Sequence, residues 1–292
     1  MFKAEWERRR ALVDAELLRQ LRAEEPFDKT LAEAMEYSLM AGGKRLRPLL
    51  LMAAADAVGA RGEDYLVSAS AIEMIHTYSL IHDDLPVMDD DDYRRGRLTN
   101  HKVYGAGMAT LAGDALLTLA FEVLLRQKGA SSETKINVIR EISVAAGANG
   151  MVGGQALDVT SGGKRIDIKT LRRMHMAKTG AMFRAAVRSG AILGGAKEAD
   201  LEALTVYADA FGLAFQITDD ILDVTGDEDA IGKPVGSDER NHKSTYVTLL
   251  SLNEAEARAK EAAEKAHEAL APLGEAAAFL DELGKYLVTR DR

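Results

Sequence analysis

The stretch SLIHDDLPVMDDDDYRRGR, from Ser79 to Arg97, holds six aspartates within ten residues, followed by Arg94, Arg95 and Arg97. A second acidic group, Asp219 and Asp223 in FQITDDILDVTGD, begins 136 residues after the first. Each follows a similar apolar run, IHTYSLIHDD or FGLAFQITDD, which reads as one device used twice. Asp219 and Asp223 are four apart, so a helix places them on one face, one turn apart. Like charges at that spacing destabilise a helix unless something neutralises them. A hard divalent cation does so, and magnesium prefers carboxylate oxygens together with a substrate phosphate. Either cluster alone also reads as a solvated acidic helix end, and Asp90 to Asp92 fit that reading best. An EF-hand is a poor alternative, because its D-x-[DN]-x-[DN]-G frame is missing and Pro86 interrupts the run. Asp83 and Asp89, six apart, are about 120° out of register on an ideal helix. They share a cation only if the helix breaks between them, and proline breaks helices.

Bases answer the acids. GGKRLRP puts Lys44, Arg45 and Arg47 directly after two glycines, at an expected helix start where anions are favoured and arginine forks suit phosphate oxygens. Pro48 is tolerable in that first turn. His76 lies seven residues before Asp83, on the same helical face. Arg94 and Arg95 are expected to end the acid-bearing helix and to reach a phosphate held by the cations. HMAKTGAMF offers Lys178 and Thr179. Lys233 and Lys243 sit on or beside a long break, Gly226 to Thr245, whose glycine and charge read as a lid or binding loop, or as a mobile surface loop. No cysteine nucleophile, Walker loop or dinucleotide fingerprint is present.

The elements that must hold these groups are helices. The 292 residues include only five prolines, helix formers dominate, and apolar residues recur with a 3.6-residue period, as in Ala112 to Gln127 and Glu254 to Leu273. Alternating Val/Ile/Thr runs are absent, so the expected class is all-α. Breaks at Gly42-Gly43, Gly59 to Gly62, Gly105 to Gly107, Ser161 to Gly163 and Gly194-Gly195 are too short to be linkers. One domain over 1–292 is expected, with helices of roughly ten to twenty-five residues. A net charge of −9 argues against general nucleic-acid binding but not against an anionic small substrate. The absence of cysteine suits a reducing cytosol. The charged N-terminus lacks the apolar core of a signal peptide, and the longest strongly apolar stretches, such as Leu49 to Ala55, read as too short to span a bilayer, so no stable membrane insertion is expected.

In order and spacing, GGKRLRP, HTYSLIHDDLPVMDDDDYRRGRLTNHK, GGQALDV, KTGAMF, FQITDDILD and GKPVGSDERNHKSTYVTLL resemble the motifs of the isoprenyl diphosphate synthase family, from about Gly42 to Leu250. The resemblance is strongest to the bacterial branch that makes the fifteen-carbon farnesyl diphosphate. It implies antiparallel helices around a deep central cavity, usually in a homodimer, in the cytoplasm. It implies head-to-tail condensation of isopentenyl diphosphate with dimethylallyl and then geranyl diphosphate, after ionisation of the allylic diphosphate. By motif position, Asp83, Asp89 and Asp219 would be magnesium ligands, with Asp84 and Asp223 close by. About three Mg²⁺ ions per site are implied, with Mn²⁺ as a substitute. Arg94, Lys178 and Lys233 would hold the allylic diphosphate; Lys44, Arg47, His76 and Arg95 would hold isopentenyl diphosphate. Thr179 and Gln216 would turn oxygens toward the allylic cation. The chemistry fits the residues, since ionisation demands charge neutralisation on the leaving group and needs no dedicated side-chain base.

Product length rests on Tyr78 and Ser79, five and four residues before Asp83 and about 6–8 Å down the helix axis. On an ideal helix Ser79 faces more nearly as Asp83 does, while Tyr78 is turned well away. The resemblance assigns the tyrosine to the cavity floor and, with the Leu85-Pro86 insertion, points to fifteen carbons; a twenty-carbon geranylgeranyl product is the alternative. A terpene cyclase would not need the second anion site of Lys44, Arg47 and His76. A non-catalytic subunit of a heteromeric synthase commonly loses an aspartate motif, and both motifs stand here.

Overall fold

The computed structural model describes residues 2–226 and 244–289. Lys233, Lys243 and most of the proposed lid segment lie outside the described residues. The helices are α1 Phe2–Leu21, α2 Lys29–Leu39, α3 Leu46–Ala57, α4 Leu66–Asp83, α5 Asn100–Tyr104, α6 Ala106–Leu125, α7 Ser132–Ala146, α8 Met151–Ser161, α9 Ile168–His175, α10 Ala181–Leu193, α11 Glu198–Thr225, α12 Tyr246–Leu249, α13 Leu252–Ala269 and α14 Ala278–Thr289. Their starts follow local chemistry. Asp28, Ser131, Asp167 and Ser251 each accept a hydrogen bond from the backbone three residues on, satisfying an amide that the helix leaves without a partner.

The class is all-α, as expected, with one departure. Tyr93–Arg94 (β1) and Arg97–Leu98 (β2) form a short antiparallel hairpin, with Arg94 opposite Arg97. Arg94 and Arg95 therefore do not end the acid-bearing helix, which stops at Asp83; they ride on a hairpin ten residues later. Gly96, at a φ of 73°, sits at the turn.

The centre of the bundle is α3, buried on every side from Leu46 to Ala55, the pattern of a helix surrounded by others. It packs on α4 and α10, while α4 also packs on α6, and α10 on α7 and α11. The contact with α10 is close: a Cβ on Gly190 would stand 1.9 Å from the Leu51 carbonyl oxygen, so only glycine permits it. At 28 residues, α11 is longer than the sequence led us to expect.

One sequence reading needs correction. The 20-residue α6 is long and apolar enough, by length and composition, to cross a membrane. Asp114 and Glu122 divide its apolar runs, which hid its overall character. The helix places Ala109, Ala112, Gly113, Leu116, Ala120, Val123 and Leu124 against its neighbours, while Leu111 and Leu125 stay exposed.

Candidate active site

The first aspartates stand where α4 breaks. Asp83 is the last helical residue, and Pro86 cannot continue the ladder. The chain doubles back: the Asp89 amide donates to the Asp83 carbonyl at 2.9 Å, and the Asp90 amide to the Leu85 carbonyl at 3.1 Å. The break that the six-residue spacing required is present. Burial, with Asp89 and Asp84 adding repulsion, pushes the Asp83 carboxyl up to about 6, against the pull of Lys178 and Arg94. Asp84 is buried and gripped by Arg94, whose Nε lies 2.8 and 2.9 Å from its two oxygens. Asp84 is thus the arginine's anchor in this structure.

Lys178 and Thr179 lie in a π-type turn, Met176–Gly180, between α9 and α10. Such wide turns often occur at functional sites. The turn is reached by α8 through Gly154, where a Cβ would stand 2.2 Å from the Lys178 amide nitrogen. From the same helix Asp158 pairs with Lys178 Nζ at 2.7 Å. Asp89, Gln155, Asp158, His175, Lys178 and Gln216 line a cleft of about 340 Å³, with Asp220 in its wall. Asp219 and Asp223 stand on α11, and Asp223 is buried. Asp220 accepts from the Tyr246 amide at 2.7 Å, tying the start of α12 to α11.

The bases gather behind α4. Arg47 is buried, its guanidinium 4.6 Å from the centre of the Phe183 ring, and its Nε has no hydrogen-bond partner among the described residues. Burial lowers its pKa to about 10, with Arg95 pushing the same way, and Glu73 and Asp219 opposing. It therefore keeps its charge near neutrality. Arg95, at a φ of 55°, donates to the Gly42 carbonyl. A Cβ on Gly43 would fall 2.7 Å from the Arg95 guanidinium carbon, so the paired glycines make room for it. His76 is held well below the ordinary histidine range by burial and by the charges of Arg47, Arg95, Arg94 and Arg45, so it serves as a neutral hydrogen-bonding group. Lys44 reaches toward the Tyr286 ring on α14, 5.9 Å from its centre.

Arg45 behaves differently from its neighbours. It is buried and bonded to Asp14 at 2.8 Å, Glu73 at 2.9 Å and the Leu39 carbonyl at 2.7 Å. It holds the helix start in place. Glu73 and Asp158 had no role in the sequence reading. A lone charge in the apolar run SASAIEMIHTY was the available signal for Glu73, and GGQALDV the signal for Asp158. Tyr78 is buried with its ring edge-on to His82, centroids 5.6 Å apart, and Ser79 spends its hydroxyl on the His76 carbonyl at 2.8 Å. Neither is among the walls of the cleft.

A family model described as polyprenyl synthetase matches residues 28–279. The chain is 47% identical over 267 residues to farnesyl diphosphate synthase of Micrococcus luteus, covering 91% of each protein. It is 45% identical over 274 residues to that of Escherichia coli K12, covering 91% of this chain and 92% of the relative. A geranylgeranyl diphosphate synthase of Cyanophora paradoxa is 44% identical over 261 residues, covering 89% and 87%. Among solved structures, geranylgeranyl pyrophosphate synthetase from Pyrococcus horikoshii superposes with a TM-score of 0.90 at 34% identity, covering 99% of this chain and 98% of that one. An aspartate-bearing helix break, a buried guanidinium cluster and relatives matched over nine-tenths of their length lead to one conclusion: the chain belongs to the polyprenyl synthetase family.

Proposed function

We propose that the protein is a short-chain trans-prenyltransferase that joins isopentenyl diphosphate head-to-tail to dimethylallyl and then geranyl diphosphate, giving farnesyl diphosphate. The observation that carries this reading is the division of charge. Buried carboxylates beside Lys178 and Arg94 adjoin a separate cluster of Arg47, Arg95 and His76. Two anions can be held at once, one to be ionised and one to attack.

Mg²⁺ fits the first cluster, because its donors are hard carboxylate oxygens, and a cation there would relieve the repulsion that Asp89 and Asp84 add to the burial of Asp83. Asp83, Asp89 and Asp219 would hold it, with Asp84 and Asp223 nearby. Bound there, the metal supplies charge neutralisation on the departing diphosphate. The chain's own groups do the rest. Lys178 and Arg94 meet the oxygens of the allylic diphosphate, each exchanging a carboxylate partner for phosphate, with Lys233 on the segment beyond Gly226 as a further cation. Arg47, Arg95, Lys44 and neutral His76 orient isopentenyl diphosphate, with Lys243 again beyond the described residues. Gln216 and Thr179 present oxygens toward the electron-poor allyl group. The proton lost after carbon–carbon bond formation goes to the departed diphosphate, since the sequence offers no obvious side-chain base and none of the roles given above to the described residues is that of a base. Tyr78 is the proposed floor for the growing tail.

Product analysis by mass spectrometry tests the reading, with purified protein, Mg²⁺, dimethylallyl diphosphate and isopentenyl diphosphate. Farnesyl diphosphate as main product supports it. A twenty-carbon main product overturns the length assignment, and failure to consume isopentenyl diphosphate overturns the condensation. The same material addresses assembly. Exposed Leu111 and Leu125 on α6, with Ile136 and Val144 on the adjoining α7, support a homodimer. We place the enzyme in the cytoplasm, as one domain, on its lack of cysteine and on a family match running from residue 28 to 279.

A further inference from the structure

Asp90, Asp92 and His101 stand apart from the site above. None of them lines the cleft. One ligating atom from each falls within 4.8 Å of the other two. Exposed acids alone would mean little, but His101 is different. It is only 7% exposed, and its Nε2 has no hydrogen-bond partner among the described residues. That nitrogen lies 3.9 Å from an Asp90 oxygen, too far for a hydrogen bond and aimed at the acids.

The other ring nitrogen fixes the tautomer. Thr99 Oγ1 donates its proton to the Asp91 carbonyl at 2.8 Å. His101 Nδ1 lies 3.1 Å from the same oxygen, so in that contact Nδ1 must carry the proton and donate. Nε2 is then left facing the carboxylates with no hydrogen-bond partner among the described residues. A cation supplies a partner. Donation from Nδ1 to a polar neighbour, leaving Nε2 for the ion, is the usual way a metal-binding histidine is oriented.

We propose that Asp90, Asp92 and His101 form a site for one divalent transition-metal ion of the zinc type, separate from the magnesium carboxylates. The imidazole sets the preference, since it suits zinc, nickel or cobalt while magnesium favours an all-oxygen shell. Zinc bonds of about 2.0–2.2 Å to nitrogen and oxygen require the two exposed carboxylates to close in by about an ångström. Lys102, now 2.6 Å from Asp92, gives up one oxygen or swings into solvent. A bound ion would close a ring from residue 90 to residue 101, and the hairpin bearing Arg94 and Arg95 lies within that ring. The ion would brace the hairpin that carries those two arginines.

Co²⁺ titration of the full chain tests the site, with millimolar Mg²⁺ present to occupy the catalytic acids. One equivalent of Co²⁺ with visible d–d absorption, displaced by Zn²⁺, is expected. Asp90→Asn combined with Asp92→Asn should weaken binding about tenfold or more, as should His101→Gln. Asp83→Asn with Asp89→Asn should leave it intact. Zn²⁺ should also slow hydrogen exchange across residues 93–98 in the wild type and not in the Asp90/Asp92 variant. No Co²⁺ uptake in the presence of Mg²⁺ overturns the proposal. So does binding indifferent to the Asp90/Asp92 pair, or binding lost with Asp83 and Asp89. Because His101 is buried and its variant can misfold, the exposed aspartate pair decides the matter.

Discussion

Asp83→Asn separates what the acid cluster does for chemistry from what it does to stability. Asp83 titrates at about 6 in the metal-free protein, against an ordinary value of 3.8. A carboxyl raised in the folded state favours folding only while it is protonated. Its contribution is full below the ordinary value and is lost as pH rises through about 6. At neutral pH the ionised, crowded carboxylate therefore opposes folding, by roughly 3 kcal/mol for a shift of about two units. Its edge is partly open to water, and that screening brings the figure to ~1–2 kcal/mol. Asparagine keeps the shape and removes the charge. In EDTA at about pH 7.5 the variant should melt about 2–8 °C above wild type, and the gap should close toward pH 4, where Asp83 is protonated anyway. Its kcat should fall about 10²-fold or more, because a group that stabilises the leaving diphosphate is gone. Calorimetry or circular dichroism at the two pH values, with a steady-state assay, makes the comparison. A variant no more stable than wild type without metal, or a gap that does not change with pH, refutes the electrostatic account. Retention of more than about a tenth of kcat refutes the ligand assignment.

Lys44→Ala and Arg47→Lys should each raise KM for isopentenyl diphosphate about tenfold while changing kcat less, since that anion keeps its charge throughout; an effect on the allylic KM alone would move them to the other site. Gly154→Ala should displace the turn bearing Lys178, because a Cβ would stand 2.2 Å from that residue's amide. Its expected cost is about 1–3 kcal/mol of stability and a tenfold lower kcat/KM for dimethylallyl diphosphate, read by melting and initial rates. Tyr78→Ala should shift the product toward twenty carbons or more, and an unchanged distribution by mass spectrometry would remove Tyr78 from the cavity floor.

The sequence by itself determined the helical class, because a 3.6-residue apolar period and capping residues act within a few positions of where they are read. It also showed that α4 must break if Asp83 and Asp89 are to share a cation, since a proline and a six-residue spacing are local facts, and the structure has that break, closed by the Asp89-to-Asp83 backbone bond. The hairpin was hidden between the block of acids and the arginines that follow it, because its strands are two residues each, too short for any alternation to register. Only the tertiary structure decided which bases face the site. Lys44, Arg45 and Arg47 look alike in GGKRLRP, yet Arg45 turns inward to Glu73, 28 residues away, while Arg47 lies over Phe183. Lys178, in the turn before α10, finds Asp158 on α8, and Arg94, on β1, finds Asp84 just past the end of α4. Each of these pairings depends on which helices touch and on how far burial raises the cost of a lone charge, and no local spacing in the chain records either.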